Sequence, residues 1–286
     1  MNPRLGMALG VASYFLFSLQ DASNKWLVAT VPVWQVLFFR SLLIVLGSLA
    51  VGRSRLVEEI VASKLKWELV LRGVITLVAW LCYYSAARDL PLAQLLTLYF
   101  AAPLMVAALS QRLLGERVTK LRWLSIGIGF SGVLVASDPF GVRLGWPTVL
   151  VLIAACGWGY GVILMRQIAR RERSLVQMVV SNLVFTVATG VMCVVSWVRL
   201  STEETLLIAV VAGCGGLAQF LSFEAARRAP AAVMATVQYS SLLWAFILGF
   251  VIWHDIPTLS VWGGAALIVV AGAVLLISER QAAARR

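Results

Sequence analysis

A chain of 286 residues that is 61% hydrophobic and 13% charged carries more apolar surface than a core of that size can hide, which excludes a soluble domain and leaves an integral membrane protein. The net charge of +11 does not indicate a nucleic-acid partner, because the basic residues sit in short clusters between apolar runs, the pattern that orients a membrane protein. Four cysteines inside apolar runs, without a CxxC pair, and a single histidine argue against a disulfide framework, a metal centre or another cofactor; the cysteines read as small apolar residues.

The apolar runs outlast an outer-membrane strand and do not alternate, so they read as helices. Runs near the ~20 residues that cross hydrocarbon fall at 5–28, 33–52, 66–88, 92–114, 121–138, 146–167, 175–197, 205–227, 231–254 and 258–278, predicting ten helices. Pro32, Pro91, Pro139, Pro147, Pro230 and Pro257 punctuate them. The first begins like a signal peptide at Met1-Asn2-Pro3-Arg4, but its run is too long and ends on Asp21, Asn24 and Lys25 rather than on a cleavage site, so it stays a span.

Polar and aromatic residues interrupt these spans in order. Asp21 in the first and Arg40 in the second both fall ~10 Å deep at 1.5 Å per residue. An unpaired charge at such a place costs on the order of 2.5–3.5 kcal/mol, so Asp21 is either half of a structural ion pair with Arg40 or a coupling or gating carboxylate. The third helix carries Trp80, Tyr83 and Tyr84 at i, i+3 and i+4. The fourth carries Thr97, Tyr99 and Phe100 ahead of Pro103, whose missing N–H makes either a hinge or a passive kink. Trp158 and Tyr160 lie in the sixth helix, Gln219 in the eighth, and Gln238, Tyr239, Ser240, Ser241 and Trp244 in the ninth. The glycines of the fifth, sixth and eighth helices read as points of close helix packing.

The chain is also written twice. Ala86-Ala87-Arg88-Asp89-Leu90-Pro91 is echoed by Ala225-Ala226-Arg227-Arg228-Ala229-Pro230, and the same offset of 139 pairs Glu116 with Asp255 and Trp123 with Trp262. A weaker echo at an offset of 142 sets Val33-Trp34-Gln35 against Leu175-Val176-Gln177 and Arg40 against Asn182. Of the 24 lysines and arginines, eighteen fall on one side of the ten-helix arrangement, four (Lys25, Arg88, Arg143 and Arg199) on the other, and Arg40 and Arg72 within spans. That bias places both termini in the cytoplasm. Five spans per half is an odd number, so the second copy is expected to enter the bilayer inverted. The expected organisation is a first five-helix repeat over 1–138, an inverted second over 146–278, and a cytoplasmic tail over 279–286.

Ten helices in two inverted halves, with Pro91, Pro103, Leu113-Leu114-Gly115-Glu116-Arg117 and the helix of Gly127, Gly129 and Gly132, resemble the drug/metabolite transporter superfamily, within it the EamA type, and most of all the YddG-type amino-acid exporters. The resemblance covers nearly the whole chain. It departs in the second half, where Leu242 aligns with Pro103 and Asp255 with the glutamate. It implies a bacterial inner-membrane carrier that moves small organic solutes outward.

Read from the residues alone, no GxxxxGK[ST] and no HExxH is present, which leaves an ion-coupled or energy-independent carrier ahead of an enzyme on lipid-linked substrate. Inverted-repeat carriers hold solute near the midplane between halves. Trp80, Tyr83, Tyr84, Tyr99, Phe100, Trp158, Tyr160, Gln219, Gln238, Tyr239, Ser240 and Trp244 are therefore the expected cavity residues, suited to an amphipathic solute. The expected partners are that solute and the bilayer, with a monomer favoured.

Overall fold

The computed structural model describes residues 3–27, 30–86, 98–100, 102–115, 118–137, 145–253 and 259–284. The expectations at residues 87–91, Thr97, Glu116, Arg117, His254 and Asp255 lie outside them, as does the side chain of Tyr84. Among the described residues there is no strand. Eleven helices follow one another within the described residues: α1 Pro3–Leu27, α2 Val33–Ala62, α3 Lys66–Ala86, α4 Ala102–Leu113, α5 Lys120–Ser137, α6 Trp146–Ala169, α7 Ser174–Val195, α8 Thr202–Arg228, α9 Ala231–Gln238, α10 Ser240–Trp253 and α11 Leu259–Ala284.

Among the described residues seven stretches are long and apolar enough to cross a bilayer: Arg4–Asn24, Val33–Ala62, Trp146–Ala169, Ser174–Val195, Thr202–Arg228, Ala231–Ile252 and Leu259–Ser278. Ten were expected. α3 and α5 begin on charged turns, Lys66 with Glu68 and Lys120 with Arg122, and only twelve residues of α4 are described.

Several helix ends differ from expectation, α11 among them, which runs to Ala284 into the stretch expected as a tail. The second helix was predicted to stop at residue 52, yet α2 runs to Ala62 across a kink at Arg53, whose φ of 54° and ψ of −159° are costly for a residue with a Cβ. The extension is held because Leu56 is fully buried and Glu59 pairs with Arg173 at 2.8 Å. At the start of α8, Ser201 and Glu204 form a reciprocal capping box that satisfies two of the end's orphan N–H groups.

The packing interleaves the two halves. α1 lies on α8 and α3 on α6, while α2 lies on α7 and α5 on α11. With helices numbered by their place in each half, α1·α8 and α6·α3 are the same contact made twice, and α2·α7 and α5·α11 each join a helix to its own copy. Those self-pairs run antiparallel. On α2 and α7, Gln35 exchanges hydrogen bonds with Val198 at one end (2.7 and 3.0 Å) and Glu59 meets Arg173 at the other. On α5 and α11, Thr119 meets Ser278 at 3.1 Å, Ser125 donates to Ala271 at 2.7 Å, and a Cβ on Gly132 would come within 2.8 Å of the Gly264 carbonyl. Small residues let these backbones approach, which in lipid is a main source of helix association.

Candidate solute-binding site

Two adjoining chambers are lined by residues of both halves. A basic chamber of ≈ 60 Å³ is lined by Arg40, Arg72, Thr76, Ser181, Asn182, Gln219 and Ser222 among others. An aromatic chamber of ≈ 170 Å³ is lined by Gln20, Asp21, Tyr83, Tyr99, Phe100 and Ser241. Tyr14, Phe17, Trp80, Trp158 and Gln238 border both, making a collar between them.

Helix geometry sets each group in place. On α1, Tyr14, Phe17 and Asp21 share one face at i, i+3 and i+7. On α2, buried Arg40 donates Nε to Gln20 Oε1 at 2.9 Å and stands 5.6 Å from the centre of the Trp80 ring, within cation–π range. Gly215 on α8 leaves room for this pair, since a Cβ there would collide with Gln20 and meet Arg40 Nε at 2.9 Å. On α3, Arg72 donates Nη1 to Ser181 Oγ at 2.7 Å and covers the Phe223 ring at 4.8 Å. One turn on, Thr76 returns its hydroxyl to the Arg72 carbonyl at 2.7 Å. Across the chamber Asn182 Nδ2 donates to Gln219 Oε1 at 2.6 Å. In the collar Trp158 Nε1 donates to Gln238 Oε1 at 3.4 Å, and a chain of rings runs from Tyr83 to Tyr99 (4.9 Å between centres) and on to Trp158 (6.4 Å).

Among the expected site residues, Trp80, Tyr83, Tyr99, Phe100, Trp158 and Gln238 are gathered at the aromatic chamber, and Gln219 at the basic one. Others are placed elsewhere. Tyr239 is 1% exposed, stacked on Phe100 at 5.8 Å and pressed against Gly129. Ser240 and Trp244 face a separate lateral groove with Arg4, Phe15 and Arg280, because Gln238 and Ser241 take the inward positions one turn apart. Tyr160 is 37% exposed on the outside of α6, the opposite side from Trp158 and Gly161. Asp21 and Arg40, for which an ion pair was one expectation, interact electrostatically. The described hydrogen bond of Arg40 goes to Gln20 while Asp21 faces the aromatic chamber, and the two charges act on each other through space.

Pro103 was expected to bend a continuous helix. Among the described residues it lies near the start of α4, three positions after a turn at Phe100, and the aligned Leu242 donates its N–H to the Tyr239 carbonyl at 3.1 Å, a bond that proline cannot make. The second half breaks at Tyr239, the residue 139 positions beyond Phe100, and has Leu242 in place of the proline. The break therefore recurs without it.

Sequence reasoning missed the α1 face and the polar lining of α3 and α7. Arg72 carried a usable signal, a charge inside an apolar run, with Thr76 one turn away. Tyr14 and Phe17 showed theirs only as a stripe leading to Asp21. Arg40 and Asn182, aligned by the 142 offset, line the same chamber. Among the described residues no three His, Cys, Asp or Glu side chains gather as a metal ion would need. What the arrangement offers is hydrogen-bond donors, two guanidinium groups and flat aromatic faces.

Comparison with known proteins agrees with this architecture. The chain is similar to a pseudopaline exporter of Pseudomonas aeruginosa, 26% identical over 93% of this chain and 94% of the relative, and to a riboflavin transporter of Rhizobium johnstonii, 24% identical over 92% and 88%. It is also similar to an S-adenosylmethionine uptake transporter of Rickettsia prowazekii, 23% identical over 98% and 97%. A crystal structure 18% identical in sequence superposes with a TM-score of 0.82 over 96% of this chain and 98% of the other, which shows a shared fold. The model of the EamA-like transporter family matches twice, over residues 4–137 and 145–278, so two copies of that unit account for nearly the whole chain, and this multi-pass membrane protein belongs to the EamA-like transporter family.

Proposed function

We propose that this chain is a secondary carrier that exports small organic solutes, amino acids with aromatic and apolar side chains first among them, across the bacterial inner membrane by alternating access. One observation carries the reading: the polar and aromatic cavity is walled by helices from both halves, with α1, α2 and α3 facing α6, α7, α8 and α9. Rocking one half against the other would then open the same site to either side. In this reading ten spans cross the membrane with both termini in the cytoplasm, and the second half is inverted against the first.

The test is efflux from proteoliposomes loaded with labelled amino acids, followed with and without a pH gradient. Saturable efflux is expected, slowed about tenfold by Trp158→Ala while the variant stays monodisperse, since a ring in the collar contributes an aromatic contact of ~0.5–1.5 kcal/mol beyond its buried area. Efflux indifferent to the gradient identifies a facilitator. Strict dependence on it gives Asp21, the carboxylate in the aromatic chamber, the coupling role. A second reading, carriage of another metabolite or carriage inward, is favoured by the relatives' names, which include an exporter and an uptake transporter; absence of amino-acid efflux with uptake of a flavin or a nucleoside-bearing solute would establish it.

A further inference from the structure

The basic chamber is charged in one direction. Arg40 and Arg72 line it, and no Asp or Glu is among its described lining residues. A guanidinium stays protonated throughout the physiological range. Asp21 acts on Arg40 from the neighbouring chamber, whereas Arg72 has no carboxylate partner among the described residues. Arg72 is 7% exposed. One nitrogen is satisfied by Ser181 and its face by Phe223, while its Nε finds no hydrogen-bond partner. The other polar walls, Asn182, Gln219 and Ser222, are neutral; they share hydrogen bonds but cannot balance charge. A buried cation left in that state is costly unless an anion joins it.

We infer that the basic chamber seats the anionic head group of the solute, a carboxylate gripped by Arg72 with Arg40 beside it, and that the solute class is the ring-bearing organic acid. This deepens the carrier reading and rests on it. The sizes fit the assignment: the ≈ 60 Å³ chamber suits a head group, the ≈ 170 Å³ chamber a ring, and Trp80 and Trp158 in the collar offer faces for that ring. A guanidinium fork matches a carboxylate in geometry as well as charge. An ammonium attached next to that carboxylate meets two cations in that chamber and otherwise only neutral amides and hydroxyls. The carboxylate is thus required and the amine is not, and amino acids are bound as acids that happen to carry an amine.

Isothermal titration of the purified full chain with three indoles of like size tests this: indole-3-propionate, tryptophan and tryptamine. The two acids are expected to bind at least about tenfold more tightly than tryptamine, the difference a charge-assisted hydrogen bond provides. Arg72→Gln is expected to bring the acids down toward the tryptamine level without weakening tryptamine binding, and Arg72→Lys to restore part of the loss. Tryptamine binding as tightly as the acids overturns the inference and leaves the carrier reading intact, as does an Arg72→Gln protein that binds tryptamine normally and loses nothing for the acids. Should Arg72→Gln fail to fold, the wild-type comparison decides alone. Binding of none of the three overturns both the inference and the reading beneath it.

Discussion

The two halves share a scaffold and divide the chemistry. α2 and α7 pack on each other as antiparallel copies, α5 and α11 do the same, and the turns at Phe100 and Tyr239 fall at aligned residues whose rings stack on one another. At the cavity the copies part. Arg40 aligns with Asn182 at an offset of 142, while Trp80 aligns with Gln219 and Tyr99 with Gln238 at 139; all six side chains line the two chambers. At these aligned positions the first half supplies a cation and two ring faces and the second supplies amides. Repetition is kept where backbones must approach and abandoned along the two chambers, the pattern that the proposed carrier of an asymmetric molecule between symmetric walls would need.

Substitutions that erase either side of this contrast sharpen it. The largest effect is expected from the shared scaffold: Gly132→Leu drives a side chain into the Gly264 carbonyl and the neighbouring Ile268, an overpacking worth ~1–3 kcal/mol or more. Size-exclusion chromatography should show loss of the monodisperse peak. Next is Arg40→Asn, which gives the first half the residue of the second. The protein should stay folded while transport of carboxylate-bearing solute falls about tenfold or more, as loss of a charge-assisted contact implies. Gly215→Ala should follow, because its methyl displaces Gln20 from Arg40; a several-fold rise in KM with little change in the maximal rate is expected, read from initial transport rates. Asn182→Ala should cost least, about 1 kcal/mol for the hydrogen bond to Gln219, visible as a small drop in thermal midpoint.

The architecture was largely legible because repetition is written into residues that tolerate few substitutes: Pro91 with Pro230, Trp123 with Trp262, and the glycines at helix crossings. The aromatic chamber was legible in part, since Trp80, Tyr83, Tyr99 and Trp158 are rings grouped at helical spacing. What escaped was direction. Around the turn at Tyr239 a single residue decides which side chains face the cavity, so Gln238 points in while Ser240 and Trp244 point to the lateral groove, and no periodicity reveals where a helix restarts. The continuation of α2 past Arg53 was hidden for another reason. Residues 53–62 are too charged to read as a span, and they are helical because Leu56 and Glu59 find partners distant in sequence.

The central claim is that one cavity between the halves is presented alternately to the two sides of the membrane. Solute counterflow tests it most directly: proteoliposomes loaded with unlabelled tryptophan are diluted into a trace of labelled tryptophan with no imposed gradient. A transient accumulation of label above equilibrium, present in the wild type and reduced at least about tenfold in Arg40→Asn, is the result this account predicts. Label that only equilibrates, at a rate unchanged by the substitution, would contradict it.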